Sequence, residues 1–363
     1  MGLEKRKELY RKIEEKRKKP LIVYVTSIRA GIQVSMASDV IPFIIKQVQK
    51  IPKDVKEVDF LIISNGGDPI TSLRIVSILR ERFSKISVLV PYVAYSAATI
   101  LSLGADEIVM HPYSNLGPVD PQMQVPKNNQ PTSQIRFSSE DISNYFEFLK
   151  EDIGITDQTH LTTAFNSLAA ELGSMEIGYA KRSQQLSLFL SQKMLESHIK
   201  DKAKASSISK ALMSSYYHHG YAVSRTEAKS VGLPITNPDD ELEALLWAVW
   251  EDFDDEMKCS KAFDPISELL SDPNTKNRLM TVPIVSLPAN TPLQIAVDRI
   301  RQVVAGIVPT TETAISLDVL LAVTESERVS MHFNQSFDML AWRNENMELN
   351  YNITVHSSGW SEV

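Results

Sequence analysis

Four short apolar runs constrain this chain most. The segments "PLIVYVTS" (20–27), "VDFLIISNGG" (58–67), "KISVLVPYVA" (85–94) and "DEIVMHP" (106–112) are brief and rich in β-branched residues. Each has the pattern of a buried strand. Between them lie segments of helical spacing: residues 37–52, the amphipathic run 69–83 with Pro69 in its first turn, and "SAATILSLGA" (96–105), stopped by a glycine. Strands that alternate with helices join in parallel through right-handed crossovers. The expected class is α/β.

Composition narrows the functions such a fold can serve. Hydrophobic residues make up 43% and charged residues 23% of the 363, as in ordinary globular proteins. A formal net charge of −7 argues against binding nucleic acid through overall charge. With Cys259 as the single cysteine, neither an internal disulfide framework nor a cysteine-rich zinc site can form. A reducing, cytoplasmic setting fits. The N-terminus is basic without an apolar core, and Arg6 stands where an acylation signal wants Ser or Thr. The longest near-apolar stretch, Val88 to Leu103, falls short of the roughly 20 residues that span a bilayer. No stable membrane insertion is expected.

Three regions are expected along the chain: a charged N-terminal helix (1–19), a main domain (20–260) and a smaller α+β domain (261–363). The thin apolar stripe Leu3, Tyr10 and Ile13 suggests that the first helix packs on a partner or projects. Residues 126–138 read as a polar loop, 139 to about 217 as nearly all helix, 224–235 as a helix ending at Gly232, and 238–257 as another helix. Beyond Cys259, residues 261–278 read as a linker and 290–307 as a helix. The tail reads as four short strands at 314–323, 328–335, 337–342 and 349–356.

Ligands of open α/β folds gather beyond the carboxyl ends of the strands. Two features fall there. Gly66–Gly67 follows the second strand, and glycine lets backbone N–H groups approach a reacting oxygen unobstructed. Ser96 follows the third strand and opens a helix among Ala94, Ala97 and Ala98, where free N–H groups favour developing negative charge. A nucleophile beside converging amides of Gly66, Gly67 and Ala97 is what acyl transfer needs. Taken alone, Ser96 reads rather as a small residue that lets a helix pack closely.

The stretch "PYVAYSAATILSLGADEIVMHPYSNLGPVDPQ" (91–122) resembles the serine dehydrogenase proteinase (SDH-type) family, within the Clp protease, signal peptide peptidase and crotonase-like superfamily. "LIISNGGDP" is similar to the superfamily's strand-plus-glycine segment and "RTEAKSVGLPI" to its closing helix and turn. The resemblance covers roughly residues 18–250. It implies a ClpP/crotonase-like spiral core of ββα units, serine endopeptidase activity on peptides or proteins with Ser96 as nucleophile, no ATP, and homo-oligomers.

The base is less plain. Clp-type enzymes carry a histidine where this chain has Val119 or Asp120, and His111 comes too early. Signal peptide peptidases use a lysine, and "GYAKRSQQLSLFL" offers Lys181, to be sheltered by Tyr179, Ala180, Leu186, Phe189 and Leu190. A lysine must be buried before its pKa approaches neutrality. Lys150 is the reserve. Asp120 reads as a turn residue or a site residue, and His218–His219 as packing rather than a metal pair. No phosphate-loop pattern is present, so neither nucleotide nor metal is expected as cofactor. Two other readings stay open: a catalytically inactive scaffold, and a crotonase-like acyl-coenzyme A enzyme. The C-terminal domain lies outside the resemblance, and three roles stay open for it: recruiting a partner protein, gating the active site or holding subunits together.

Overall fold

The structure is a computed structural model, and it describes residues 2–127, 130–214, 216, 218–280, 285–307, 313–344 and 348–363. Two compact units emerge. The first comprises Met1–Thr26, Ser35–Asp252 and Thr324–Ser330, and the second Ser27–Val34, Phe253–Val323 and Met331–Val363.

The first unit realises the expected alternation. Helix α1 (Leu3–Arg17) precedes β1 (Leu21–Thr26), α2 (Ile41–Gln49), β2 (Glu57–Ile63), α3 (Pro69–Arg82) and β3 (Lys85–Val90). Then come β4 (Val93–Ala94), α4 (Ala97–Leu103), β5 (Glu107–Met110), β6 (Asn115–Leu116), and the hairpin β7 (Gln122–Lys127) and β8 (Gln130–Ser138). Helices α5 (Ser139–Glu147), α6 (Gln158–Leu172), α7 (Ser174–Glu196) and α8 (Lys202–Ser214) follow, before β9 (Val223–Ser224), α9 (Arg225–Val231), β10 (Ile235–Thr236) and α10 (Asp240–Met257).

Strands β10, β5, β3, β2 and β1 lie side by side in that order, every pair parallel. β1 is buried along its whole length, as a strand covered on both faces must be. A second small sheet, β4–β6–β9, runs beside the first. After β3 and β5 the chain lays down the small-sheet strands β4 and β6, with β4 leading into α4, and after β1 and β2 isolated bridges at Met36 and Ser64 take that place. This is the ββα spiral of a ClpP-like α/β core.

Four local readings change, the last of them in the second unit. The segment read as a polar loop, residues 126–138, forms most of the β7–β8 hairpin, whose register pairs Met123 with Phe137 and Val125 with Ile135. Its apolar residues alternate with polar ones, and that face packs on Leu168, Leu172, Ile177 and Ala180. Asn128 and Asn129 lie outside the described residues. The helix expected to pack on a partner or to project is instead built in: Arg6, Leu9, Tyr10 and Ile13 of α1 are buried. Residues 261–278 hold α11 (Pro265–Ser271) and α12 (Pro273–Met280) rather than a linker.

The second unit also holds α13 (Leu293–Ile307), β11 (Thr313–Glu325), β12 (Ser330–Arg343) and β13 (Leu349–Glu362). β12 and β13 pair antiparallel, with a register shift between Ser336 and Phe337. Two of the short strands read in the tail are therefore one strand carried through a bulge. Leu269, Leu279, Leu321, Phe337 and Met339 form its core. Among the described residues, no helix is long and apolar enough to cross a membrane.

Candidate active site

Ser96 sits between β4 and α4 in a backbone conformation that side chains resist, with φ 51° and ψ −117°. Such a conformation costs on the order of 1–3 kcal/mol and persists only where the surroundings enforce it. The enforcing contacts are visible. Ser64 N–H donates to Val93 O (3.0 Å) and Tyr95 N–H to Ser64 O (2.9 Å), which straps β4 beside the end of β2. On the other side, Thr99 Oγ1 donates to Ala94 O (2.7 Å) and accepts from Gly117 N–H (3.0 Å). The serine is half-buried, and its Oγ makes no hydrogen bond among the described residues.

Gly66 and Gly67 play different parts. A Cβ at Gly66 would lie 2.5 Å from Tyr95 O, 2.8 Å from Ala97 N and 2.9 Å from Ser96 Cβ, so only glycine fits against the serine turn. Its φ of 95° excludes other side chains independently. The sequence reading included the Gly66 amide among the oxyanion donors, and the structure corrects this. That N–H donates to Ser64 Oγ at 3.0 Å, which itself accepts from Thr26 Oγ1 at 2.8 Å, deep in the core. The bridge to Met36 uses Gly66 O (2.7 Å) and Asp68 N–H (2.8 Å). By the alternation of extended backbone, the Gly67 N–H then points the other way. Among the described residues neither Gly67 N–H nor Ala97 N–H donates to a protein acceptor. Two amides beside one unpartnered hydroxyl can polarise a carbonyl that the hydroxyl attacks.

A Gly66→Ala substitution is therefore expected to abolish any chemistry at Ser96 and to destabilise the fold by about 2 kcal/mol or more, because the added methyl meets backbone that cannot move aside. Denaturant unfolding and Ser96 reactivity measure the two effects.

The open space beside Gly67 is a cleft of about 950 Å³. Its walls are Gly67–Pro69, Pro121–Pro126 of the hairpin strand, and one face of α7 that includes Tyr179, Arg182 and Leu186. Lys181 is not in that wall. It is exposed, its Nζ donating to Gln184 Oε1 at 2.9 Å. The shelter expected for it is missing too: Tyr179 and Phe189 are 54% and 58% exposed, while the buried Ala180 and Leu190 face inward. Arg182, one residue on, lines the cleft instead. Lys150, the reserve, borders a separate recess with Phe146 and Phe165. His111 is buried and stacked on Trp247 at 4.9 Å, and burial lowers its pKa. His219, read as packing, instead meets Asp120: Nδ1 and Oδ1 are 2.8 Å apart. A histidine in a turn 99 residues from its carboxylate gives no local sequence signal. Among the described residues no group of three His, Cys, Asp or Glu side chains could hold a metal ion.

With this geometry in place, the comparisons with known proteins can be set beside it. Residues 1–149 match the model of the ClpP-like SDH-type serine proteinases. The matched stretch includes Gly66, Gly67, Ser96, Ala97 and Asp120, and stops short of Lys181 and His219. Two uncharacterized proteins of Methanocaldococcus jannaschii align over 204 residues at 28% and 25% identity, covering 56% of this chain. The alignments cover 62% and 60% of those relatives, so this chain spans about three fifths of their length.

Among solved structures, the 1510-N membrane-bound stomatin-specific protease matches with a TM-score of 0.36 at 15% identity, covering 62% of this chain and 83% of that one. ClpP1 from Listeria monocytogenes matches with 0.32 at 14% identity, covering 64% and 99%. Scores this low add nothing to the topology traced above.

Proposed function

We propose that this protein is a serine endopeptidase that opens peptide bonds through an acyl-enzyme on Ser96, without ATP or metal. The observation that carries the proposal is the strained turn that presents Ser96 Oγ beside the Gly67 and Ala97 amides, none of the three hydrogen-bonded to another group among the described residues. Strain stored at one polar side chain in a buried strand–helix junction is a mark of a working site. The cleft that Gly67 lines has a volume of about 950 Å³, in the range of a ligand pocket. In this reading Ser96 Oγ attacks the substrate carbonyl, and Gly67 and Ala97 N–H groups receive the oxyanion.

Labelling by a fluorophosphonate probe tests the proposal. One adduct on Ser96, with parallel loss of hydrolysis of an unfolded polypeptide, is the expected result. A fully hydrolytic protein whose Ser96 stays unlabelled would refute it.

The Ser–Lys form of the proposal assigns the base to Lys181. It requires the amine to leave Gln184 and enter a dry site, and it predicts a loss of at least about a hundredfold in turnover for Lys181→Ala. Full activity in that variant removes the lysine from the mechanism. Homo-oligomer formation and a partner-binding role for the second unit complete the proposal, and mass measurement in solution checks the former.

A further inference from the structure

The cleft beside Gly67 carries an uneven charge. Among the described residues Arg182 is the single cation in its wall, and Asp68 and Glu176 are the carboxylates. Both carboxylates are turned to local work. Asp68 caps α3, its Oδ1 accepting from Ile70 N–H at 2.9 Å and its Oδ2 from Thr71 Oγ1 at 2.9 Å. Glu176 folds back so that its carboxylate fills the space a Cβ at Gly173 would take. It lies there at the first turn of α7, where free N–H groups favour an anion. Arg182 comes six residues further along that helix, a rise of about 9 Å.

Arg182 is not engaged in this way. Among the described residues it meets no carboxylate, whereas Arg6, Arg11, Arg17, Arg80 and Arg328 of the same unit each pair with one at 2.6–2.8 Å. Its guanidinium stands over the ring of Tyr179, one helical turn back, with Cζ 5.3 Å from the ring centre. A cation–π contact holds the planar group without using its N–H donors, which leaves the fork for an oxygen ligand. Around it the wall is apolar, with Met123 and Val125 of β7 and Met175, Tyr179 and Leu186 of α7. Met175, Tyr179 and Leu186 are exposed, and apolar surface of this kind gains from being covered. The cleft opens next to the serine turn: Gly67 follows Gly66, where an added Cβ would lie 2.9 Å from Ser96 Cβ.

We propose that the cleft selects polypeptide segments carrying a carboxylate among apolar side chains, and that Arg182 is the residue that reads the carboxylate. The inference rests on the peptidase reading above and names its substrate class. A carboxylate matches the guanidinium fork through two parallel N–H···O bonds. The apolar neighbours shut water out of that pair once the cleft is filled, which strengthens it. A glutamine amide has the same shape without the charge, and its NH₂ group meets donors where an acceptor is wanted. Asp and Glu side chains and the free C-terminal end of a chain share the carboxylate chemistry, and the test separates them.

The test measures binding to the full-length Ser96→Ala protein, so that no turnover intervenes. Three fluorescent peptides share one apolar sequence. The first carries an internal Glu and an amidated end, the second Gln and an amidated end, the third Gln and a free C-terminal carboxylate. By fluorescence anisotropy at low salt, the first is expected to bind about tenfold more tightly than the second. An equal gain for the third assigns the site to carboxylates at large, and a gain for the third alone assigns it to chain ends. Arg182→Gln should erase the gain, and Arg182→Glu should turn the preference toward a Lys-bearing peptide. Both changes fall at an exposed helix position and keep a good helix former there. Equal binding of all peptides, binding of none, or a gain that survives in Arg182→Gln would overturn the inference. Hydrolysis of the same peptides keeps the two readings apart. Ser96-dependent cleavage without preference for the acid sinks this inference alone, and cleavage undiminished in Ser96→Ala sinks the peptidase reading, whatever the cleft binds.

Discussion

Replacing Ser96 by glycine is expected to abolish hydrolysis and to make the protein more stable, by about 1–2 kcal/mol. The backbone at this position costs on the order of 1–3 kcal/mol for any residue with a Cβ. Glycine relieves it, and the greater freedom of a glycine in the unfolded chain returns up to about 1 kcal/mol of that gain. The hydroxyl itself has no hydrogen-bond partner to lose among the described residues. Ser96→Ala gives the contrasting result, because the same φ is kept: hydrolysis is lost by about three orders of magnitude or more, with stability nearly unchanged. Denaturant melts of the wild type and both variants check this pair. Equal stability of the glycine and alanine forms would show that the turn is not strained, and with it would go the main reason to regard Ser96 as more than a packing residue.

The second large effect lies far from the site. Arg6 of α1 is fully buried, with Nη1 donating to Asp252 at 2.8 Å and Nε and Nη2 to the two oxygens of Glu325 at 3.0 and 2.8 Å. Tyr10 Oη donates to the same carboxylate at 2.6 Å, and burial followed by the Glu325 charge raises the Tyr10 pKa. Removing one member of such a group strands the others' charge in a medium that solvates it poorly. Arg6→Ala is expected to cost about 3–5 kcal/mol, enough to leave little of an ordinary domain's margin. Arg6→Lys recovers only part, since an ammonium cannot serve the bidentate geometry. The double variant Arg6→Met with Glu325→Gln should lose less than the two single losses combined, and a chemical-denaturation cycle measures that coupling. Additive losses would show that the pair is not coupled.

Much of the fold was readable because its signals are local. β-branched runs, the proline in the first turn of α3 and the glycine that ends α9 each act within a few residues. The same holds for the serine placed where a strand gives way to a helix. Signals that were present but outweighed explain two errors. Asp264–Pro265 and Asp272–Pro273 look like linker punctuation, yet each pair supplies an N-cap and a first-turn proline. Asp264 caps Ile266 and Ser267, and Asp272 accepts from Thr275 N–H at 2.7 Å. In the β7–β8 hairpin, strict alternation from Met123 to Val125 and from Ile135 to Phe137 was masked by its polar outer face.

Other features have no local signal at all. Arg6 reads as one more charge on a solvated helix until residues 252 and 325 arrive beside it. Whether a lysine is sheltered depends on which way a helix is turned: Lys181 and Arg182 are neighbours in sequence, but only Arg182 lines the cleft. Which of two adjacent glycines frees its amide depends on the strand that pairs beside them, because Ser64 occupies Gly66 and Met36 aligns Gly67. The chain's order therefore determined the α/β spiral, the position of the serine turn and the need for glycine next to it. Tertiary structure decided which amides remain free, which charges are buried and which imidazole meets a carboxylate, because each of these depends on groups that come together only when distant segments pack and water is excluded between them.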